Sequence, residues 1–148
     1  MNLRRAVAQD ASAIATLMRT TFRVSLPFLP DLHTAAEGLT YVSSHLIPET
    51  TVWVAEIDGV IAGYVAFRPD WIDHLYIHPD QQGQGIGPAL LAKAMEDGAT
   101  KQLWAFQQNT RARRFYEARG FQAVEFTDGA RNEEKTPDVR YEWRPPAL

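Results

Sequence analysis

Apolar and polar positions alternate in two distinct rhythms along this chain. Ile14, Leu17, Met18 and Phe22 recur at helical spacing behind Asp10 and Ser12, either of which can cap a helix start. "NLRRAV" before them reads as a first strand. "TAAE", Thr34 to Glu37, has the form of a capping box, so a second helix is expected to run to about His45. "TVWVAEI" and "VIAGYVAFR" flank Asp58-Gly59, a strong hairpin signal. "WIDHLYI" (71–77) is the next strand, and Leu90, Leu91, Ala94 and Met95 place a helix over 85–97. "KQLWAF" (101–106) is a strand. "NTRARRFYEARG" is a helix with an Asn start and a Gly stop. "FQAVEF" and "VRYEW" close the order β-α-α-β-β-β-α-β-α-β-β. Because "VIAGYVAF" and "QLWAF" are apolar at both alternating positions, a sheet covered by helices on both sides is expected.

Composition narrows this picture. The 148 residues suit a single domain, 1–148, and 45% hydrophobic content with 22% charge is ordinary for a globular protein. There is no cysteine, which excludes disulfides, thiolate metal sites and a cysteine nucleophile. A net charge of −3 argues against general nucleic-acid binding. The N-terminal residues carry no continuous apolar h-region and no stretch reaches membrane-span length. No leader, no membrane partner and a cytoplasmic location are therefore the expectation. His74 and His78 would stand about 13 Å apart on one strand, too far to share an ion, so no metal is expected.

"PDQQGQGIGPALL", Pro79 to Leu91, holds Gly83, Gly85 and Gly87 between a strand and a helix. Free backbone N–H groups at a helix start attract anions, and Pro88 suits a first turn. A P-loop would need Lys-Ser or Lys-Thr after the glycines. A dinucleotide fingerprint would need glycine where Leu90 stands. A glycine-rich turn that binds nothing is the plain alternative. "NTRARRFYEARGF" offers a second constellation. Asn109 can be simply an N-cap, Tyr116 simply core, and the arginines Arg111 to Arg114 simply a solvated face.

Together the two stretches resemble the signatures of the GNAT acetyltransferase superfamily. Gln82, Gly85 and Gly87 match Q/R-x-x-G-x-G/A behind Leu75, Ile77 and Pro79. Asn109 to Phe121 match N-x-x-A-x-x-F-Y-x-x-x-G-F. The resemblance implies an α/β (α+β) fold: a mixed, mostly antiparallel sheet of about seven strands, flanked by helices on both faces and splayed between strands 4 and 5. It implies acetyl-CoA as co-substrate, its pantetheine arm beside Leu75, Tyr76 and Ile77. Its pyrophosphate would lie on Gln82, Gly83, Gln84, Gly85, Ile86, Gly87 and Pro88, with Asn109 touching the arm. The N–H near Ile77 would stabilise an oxyanion, and Tyr116 would protonate the leaving thiolate.

The implied function is an N-acetyltransferase acting on a primary amine of a small molecule or peptide. A non-catalytic coenzyme A-binding sensor or partner-binding module on the same fold is the alternative. Asp73, His74, Glu56 and Tyr76 are candidates for the general base. His74 has a suitable ordinary pKa, and alternation sends Asp73 and His74 to opposite faces unless a bulge intervenes. By the same resemblance, the acceptor is gripped by "VSLPFLPDLHT", with Phe28, Leu29 and Leu32, and by "TDGARNEEKTPD", with Asp128, Glu133, Glu134 and Asp138. The family also includes homodimers, although no interface is legible here.

Overall fold

Asp58 and Gly59 take positive φ, 53° and 77°, the geometry a type I′ hairpin turn requires. They join β2 (Thr51–Ile57) to β3 (Val60–Phe67) in the computed structural model, which describes residues 1–147. With β1 (Asn2–Arg5) and β4 (Ile72–Ile77) these form an antiparallel sheet of order β1-β2-β3-β4. A second antiparallel sheet, of order β5-β7-β6, comprises β5 (Lys101–Phe106), β6 (Gln122–Phe126) and β7 (Asp138–Trp143). The sheets meet at a parallel bridge between Trp71 and Gln102, and beyond it β4 and β5 diverge. This is the expected splay between the fourth and fifth of seven strands.

The base of the splay is pinned by a buried cation. Lys101, 1% exposed, donates from Nζ to the Pro69 carbonyl (2.5 Å) and to Asp97 (2.9 Å). A buried ammonium is tolerated only when its donors are engaged in this way.

Helices α1 (Ala11–Ser25) and α2 (Ala35–Tyr41) cover one face of the first sheet. There Ile14, Leu17, Val42 and Leu46 pack on Val52, Val54 and Tyr64. The other face carries α4 (Ile86–Ala94) and α5 (Thr110–Glu117), where Leu90, Leu91 and Tyr116 meet Val65, Leu103 and Tyr141. Each of these large side chains contributes about 1.5–3 kcal/mol through burial. The second sheet is less fully covered than "QLWAF" suggests. Its outer face leaves Trp104 44% exposed, and the loop after α1 reaches it, where Phe28 meets Phe106 edge-on.

The Thr34–Glu37 capping box forms in both directions, at 3.1 and 2.9 Å. The helix does not stop at His45. It widens through a π turn, Val42–Leu46, and resumes as α3 (Ile47–Glu49). Pro48 has no N–H for the carbonyl four residues back and its ring would collide with that carbonyl. The wider turn, closed by Ile47 donating to Val42, makes room for it. Helix α4 also ends earlier than expected, at Ala94; the chain then passes through a turn closed by Gly98 N–H donating to the Met95 carbonyl at 3.0 Å.

Candidate active site

The site is built first from backbone. His78 donates to the Ala62 carbonyl at 2.8 Å. Hydrogen bonding alternates along an antiparallel pair, so His74 and Tyr76 direct their main-chain groups to β3. Leu75 and Ile77 direct theirs to the open edge that faces β5. An extended ligand can therefore add to β4 as a strand between the two sheets.

Past the end of β4, a short 3-10 turn (Pro79–Gln81) leads into the glycine loop. Among the described residues, no backbone N–H from Gln82 to Gly87 donates to an acceptor within the chain. The glycines have separate reasons. Gly83 and Gly85 adopt φ of 82° and 81°, and the space where a side chain would begin is open. Gly87 is ordinary in φ, but a Cβ there would lie 3.3 Å from Phe115 of α5. Turn geometry thus accounts for two glycines and helix packing for the third. The result is a row of free donors at the positive end of α4.

Between β4, β5 and this loop lies a cleft of about 470 Å³. Leu75, Tyr76, Ile77, Gln82, Gly83, Gly85, Ile86, Gly87, Pro88, Asn109 and Tyr116 line it, as does Asp73. Gln84 does not; its side chain bonds Gln81 at 3.0 Å. Asn109 caps α5, its Oδ1 accepting from Ala112 N–H at 3.2 Å, while also facing the cleft. Of the arginines from 111 to 114, Arg111 lines the cleft, whereas Arg113 turns away to donate to Tyr141 Oη at 2.9 Å. Arg119, absent from the sequence reading, also lines it from the end of α5.

Tyr116 packs edge-on against Phe115 and Phe121, with ring centroids 5.2 and 5.3 Å away. Among the described residues its hydroxyl has no hydrogen-bond partner. Burial, aided by the nearby Tyr76, pushes the phenol well above its ordinary pKa, so it holds its proton.

The candidates for general base separate sharply. The β3–β4 register slips at Ala66/Phe67, opposite Ile72 and His74, so Asp73 is the extra residue of a bulge. Asp73 reaches the cleft but accepts two bonds from Arg68, at 2.9 and 2.6 Å. His74 does not line the cleft. It lies on the α2 side between Tyr64 (2.9 Å to Nδ1) and Tyr41 (3.2 Å to Nε2). Burial lowers its pKa to about 4, only partly offset by Asp73, so it is neutral at pH 7. These two contacts tether the ring on the α2 side, away from the cleft. Glu56 is bound by Arg4 on the far side of the sheet. Tyr76 faces the cleft, and burial with the Glu134 charge pushes its phenol up. Among the described residues no group of three His, Cys, Asp or Glu side chains converges as a metal site.

On the opposite wall, α1 contributes a residue that sequence reasoning missed. Thr21 is 5% exposed, and its Oγ1 is the buried side-chain oxygen left without a partner among the described residues. Such a hydroxyl costs about 1–3 kcal/mol. A threonine three and four residues on from Met18 and Leu17, inside an apolar stripe, was the available signal. The loop after α1 and the loop after β6 touch, His33 Nε2 meeting Glu133 Oε1 at 2.6 Å.

Residues 48–123 match the acetyltransferase (GNAT) domain family. The chain is 29% identical over 125 residues to the peptidyl-lysine N-acetyltransferase YjaB of Salmonella typhimurium, covering 84% of this chain and 85% of that protein. It is 28% identical over 108 residues to the L-amino acid N-acyltransferase MnaT of Escherichia coli, covering 66% of this chain and 62% of that protein. An uncharacterized N-acetyltransferase of Archaeoglobus fulgidus is 38% identical over 81 residues, covering 44% of this chain and 55% of that protein, little more than half its length. Among solved structures, the apo form of YjaB from Escherichia coli superposes with a TM-score of 0.79 at 21% identity, covering 98% of both chains. YncA from Salmonella typhimurium, solved with its cofactor acetyl-CoA, gives a TM-score of 0.76 at 18% identity, covering 100% of this chain and 95% of that one.

Proposed function

The chain belongs to the GNAT acetyltransferase family, and from that premise we propose that it moves an acetyl group from acetyl-CoA to a primary amine, the whole chain acting as one such domain. One observation carries the placement: an open strand edge at Leu75 and Ile77 runs into a loop of unpaired N–H groups, with the Tyr116 hydroxyl beside it. Acetyl-CoA supplies the activated thioester. Leu75 and Ile77 hold its extended arm by main-chain pairing, and the donors of Gln82 to Gly87 receive its pyrophosphate. Pro88 takes no part as a donor. Asn109 lies against the arm, and Arg111 and Arg119 are the cations available for further phosphate.

The Ile77 N–H, fixed by the strand, meets the carbonyl oxygen where negative charge develops during attack. Tyr116 Oη keeps its proton until the thiolate leaves and then gives it up. Asp73 is neutralised by Arg68 and His74 is walled off, so the amine proton passes to water. The relatives YjaB and MnaT point to two acceptor classes, a peptidyl lysine and a free amino acid. No helix of the described residues is long and apolar enough to cross a membrane.

The test is thiol release from acetyl-CoA in the presence of primary amines, with the acetylated amine identified by mass. Amine-dependent release is expected. Tight acetyl-CoA binding with no release across lysyl peptides and amino acids would replace the enzyme with a coenzyme A-binding module.

A further inference from the structure

We propose that the acceptor amine is a lysine side chain within an extended polypeptide segment, and that this segment docks by main-chain pairing on the open edge of β5 at Trp104 and Phe106. This rests on the acetyltransferase reading above and adds to it the kind of acceptor and the surface that holds it.

The splay has two edges, and β5 supplies the second. At its start Gln102 N–H donates across the base of the splay to the Asp70 carbonyl, at 2.9 Å. Past its end Gln107 N–H donates the other way, to the Pro137 carbonyl just before β7, also at 2.9 Å. Main-chain direction alternates along a strand, so Leu103 and Ala105 bond toward β7 while Trp104 and Phe106 face the splay. Beyond the Trp71–Gln102 bridge no further bridge joins β5 to β4 among the described residues. The Phe106 carbonyl accepts from Asn109 N–H at 3.0 Å, which leaves the Trp104 carbonyl and the Phe106 N–H open. An acceptor and a donor placed this way match the N–H and C=O of a single residue in an extended chain. A simple alkylamine offers no such pair, and a free amino acid must give its reacting nitrogen to it.

Nothing blunts this edge. Strand edges are ordinarily protected by charge, proline or a bulge. β6, the outer strand of the same sheet, has a bulge between Ala123 and Glu125. β5 runs in unbroken register, with no charged residue or proline from Gln102 to Phe106. The side chains add a second observation. Leu103 and Ala105 are buried in the core that α4 and α5 cover, so Trp104 and Phe106 stand on the opposite face, where Phe28 meets Phe106. The glycine loop leads into α4 on the covered face. Trp104 lines the cleft and is nearly half exposed. A lone exposed tryptophan is ordinary; this one shares its residue with an open carbonyl at the cleft. Its indole gives a docked segment a flat apolar wall on the face away from the coenzyme phosphates.

The experiment follows amide hydrogen exchange by NMR on isotope-labelled protein, alone, saturated with coenzyme A, and with a lysyl peptide added. The peptide is blocked at both ends, and its other residues are alanine. Coenzyme A alone should leave the Phe106 N–H exchanging as an open amide, and the peptide should slow it at least tenfold. With acetyl-CoA, the peptide should be acetylated with kcat/KM at least tenfold above n-butylamine. Methylating the backbone nitrogens of the peptide one at a time should abolish that advantage at one position, and Trp104→Ala should raise the peptide's KM. The methylated peptides test pairing on the wild type, whatever Trp104→Ala does to folding. If coenzyme A alone protects Phe106, the edge belongs to the coenzyme arm and the proposal is overturned. It is overturned too if the peptide leaves Phe106 unprotected, or if n-butylamine or L-alanine turns over as well as the peptide. A wild type that binds no coenzyme A sinks the acetyltransferase reading itself, and the docking inference with it.

Discussion

The two walls of the cleft work with different materials. On the β4 side nearly everything on offer is main chain: the edge groups of Leu75 and Ile77, then the free donors of the glycine loop. On the α5 side the offer is a side-chain hydroxyl, from Tyr116. Main-chain donors serve any ligand with the right backbone-like arm and anion, so this wall suits a coenzyme common to many reactions. A hydroxyl set by packing is particular to one chain, so under the proposed function that wall governs turnover rather than coenzyme binding.

If that division holds, damage to the second wall should change turnover and spare coenzyme affinity. Tyr116→Phe should cut kcat by about 100-fold, the usual reach of a general acid, while calorimetry shows the same acetyl-CoA Kd. Equal loss in both would return Tyr116 to a packing role. Lys101→Met tests the hinge that holds the walls apart. Removing a buried ammonium and leaving the Pro69 carbonyl unpaired should cost about 2 kcal/mol, seen as a lower urea midpoint. An unchanged midpoint would mean the splay does not depend on this pin.

His74 belongs to neither wall, and its effect should fall on stability alone. Its folded pKa, about 4, lies below the ordinary 6.5. The unfolded chain therefore binds the extra proton, and stability falls as pH drops from about 6.5 toward 4. Because the ring is partly exposed, about 1–2 kcal/mol is the expected size of that loss. His74→Gln should flatten this acid limb in denaturant titrations. The pH dependence of kcat above pH 6 should not move; a lost basic limb would restore His74 as the base.

The contrast between the walls also explains what the sequence revealed. Glycines at fixed spacing after a strand announce a main-chain site directly, because positive φ at Gly83 and Gly85 admits little else. The hairpin at Asp58-Gly59 and the Asn109 cap were legible for the same reason. Side-chain geometry was not. One bulge at Asp73 decides which residues of β4 share a face, and nothing in "WIDHLYI" marks it. His74 looked free because its partners, Tyr64 and Tyr41, come from β3 and α2. Thr21 sat inside an apolar stripe whose hydroxyl acquires meaning only when its lack of a partner is seen. The continuation past His45 needed Pro48 to be read as a helix-widening residue rather than a stop.

The most direct test is calorimetric titration of acetyl-CoA into the wild type and into Gly85→Glu. Micromolar binding, about −8 kcal/mol, is expected for the wild type, and loss of at least 100-fold for the variant. There a carboxylate and a Cβ would intrude on the donor row at a left-handed backbone position. A folded variant that binds as well as the wild type, or a wild type indifferent to acetyl-CoA, would contradict the assignment of this loop to the coenzyme phosphates.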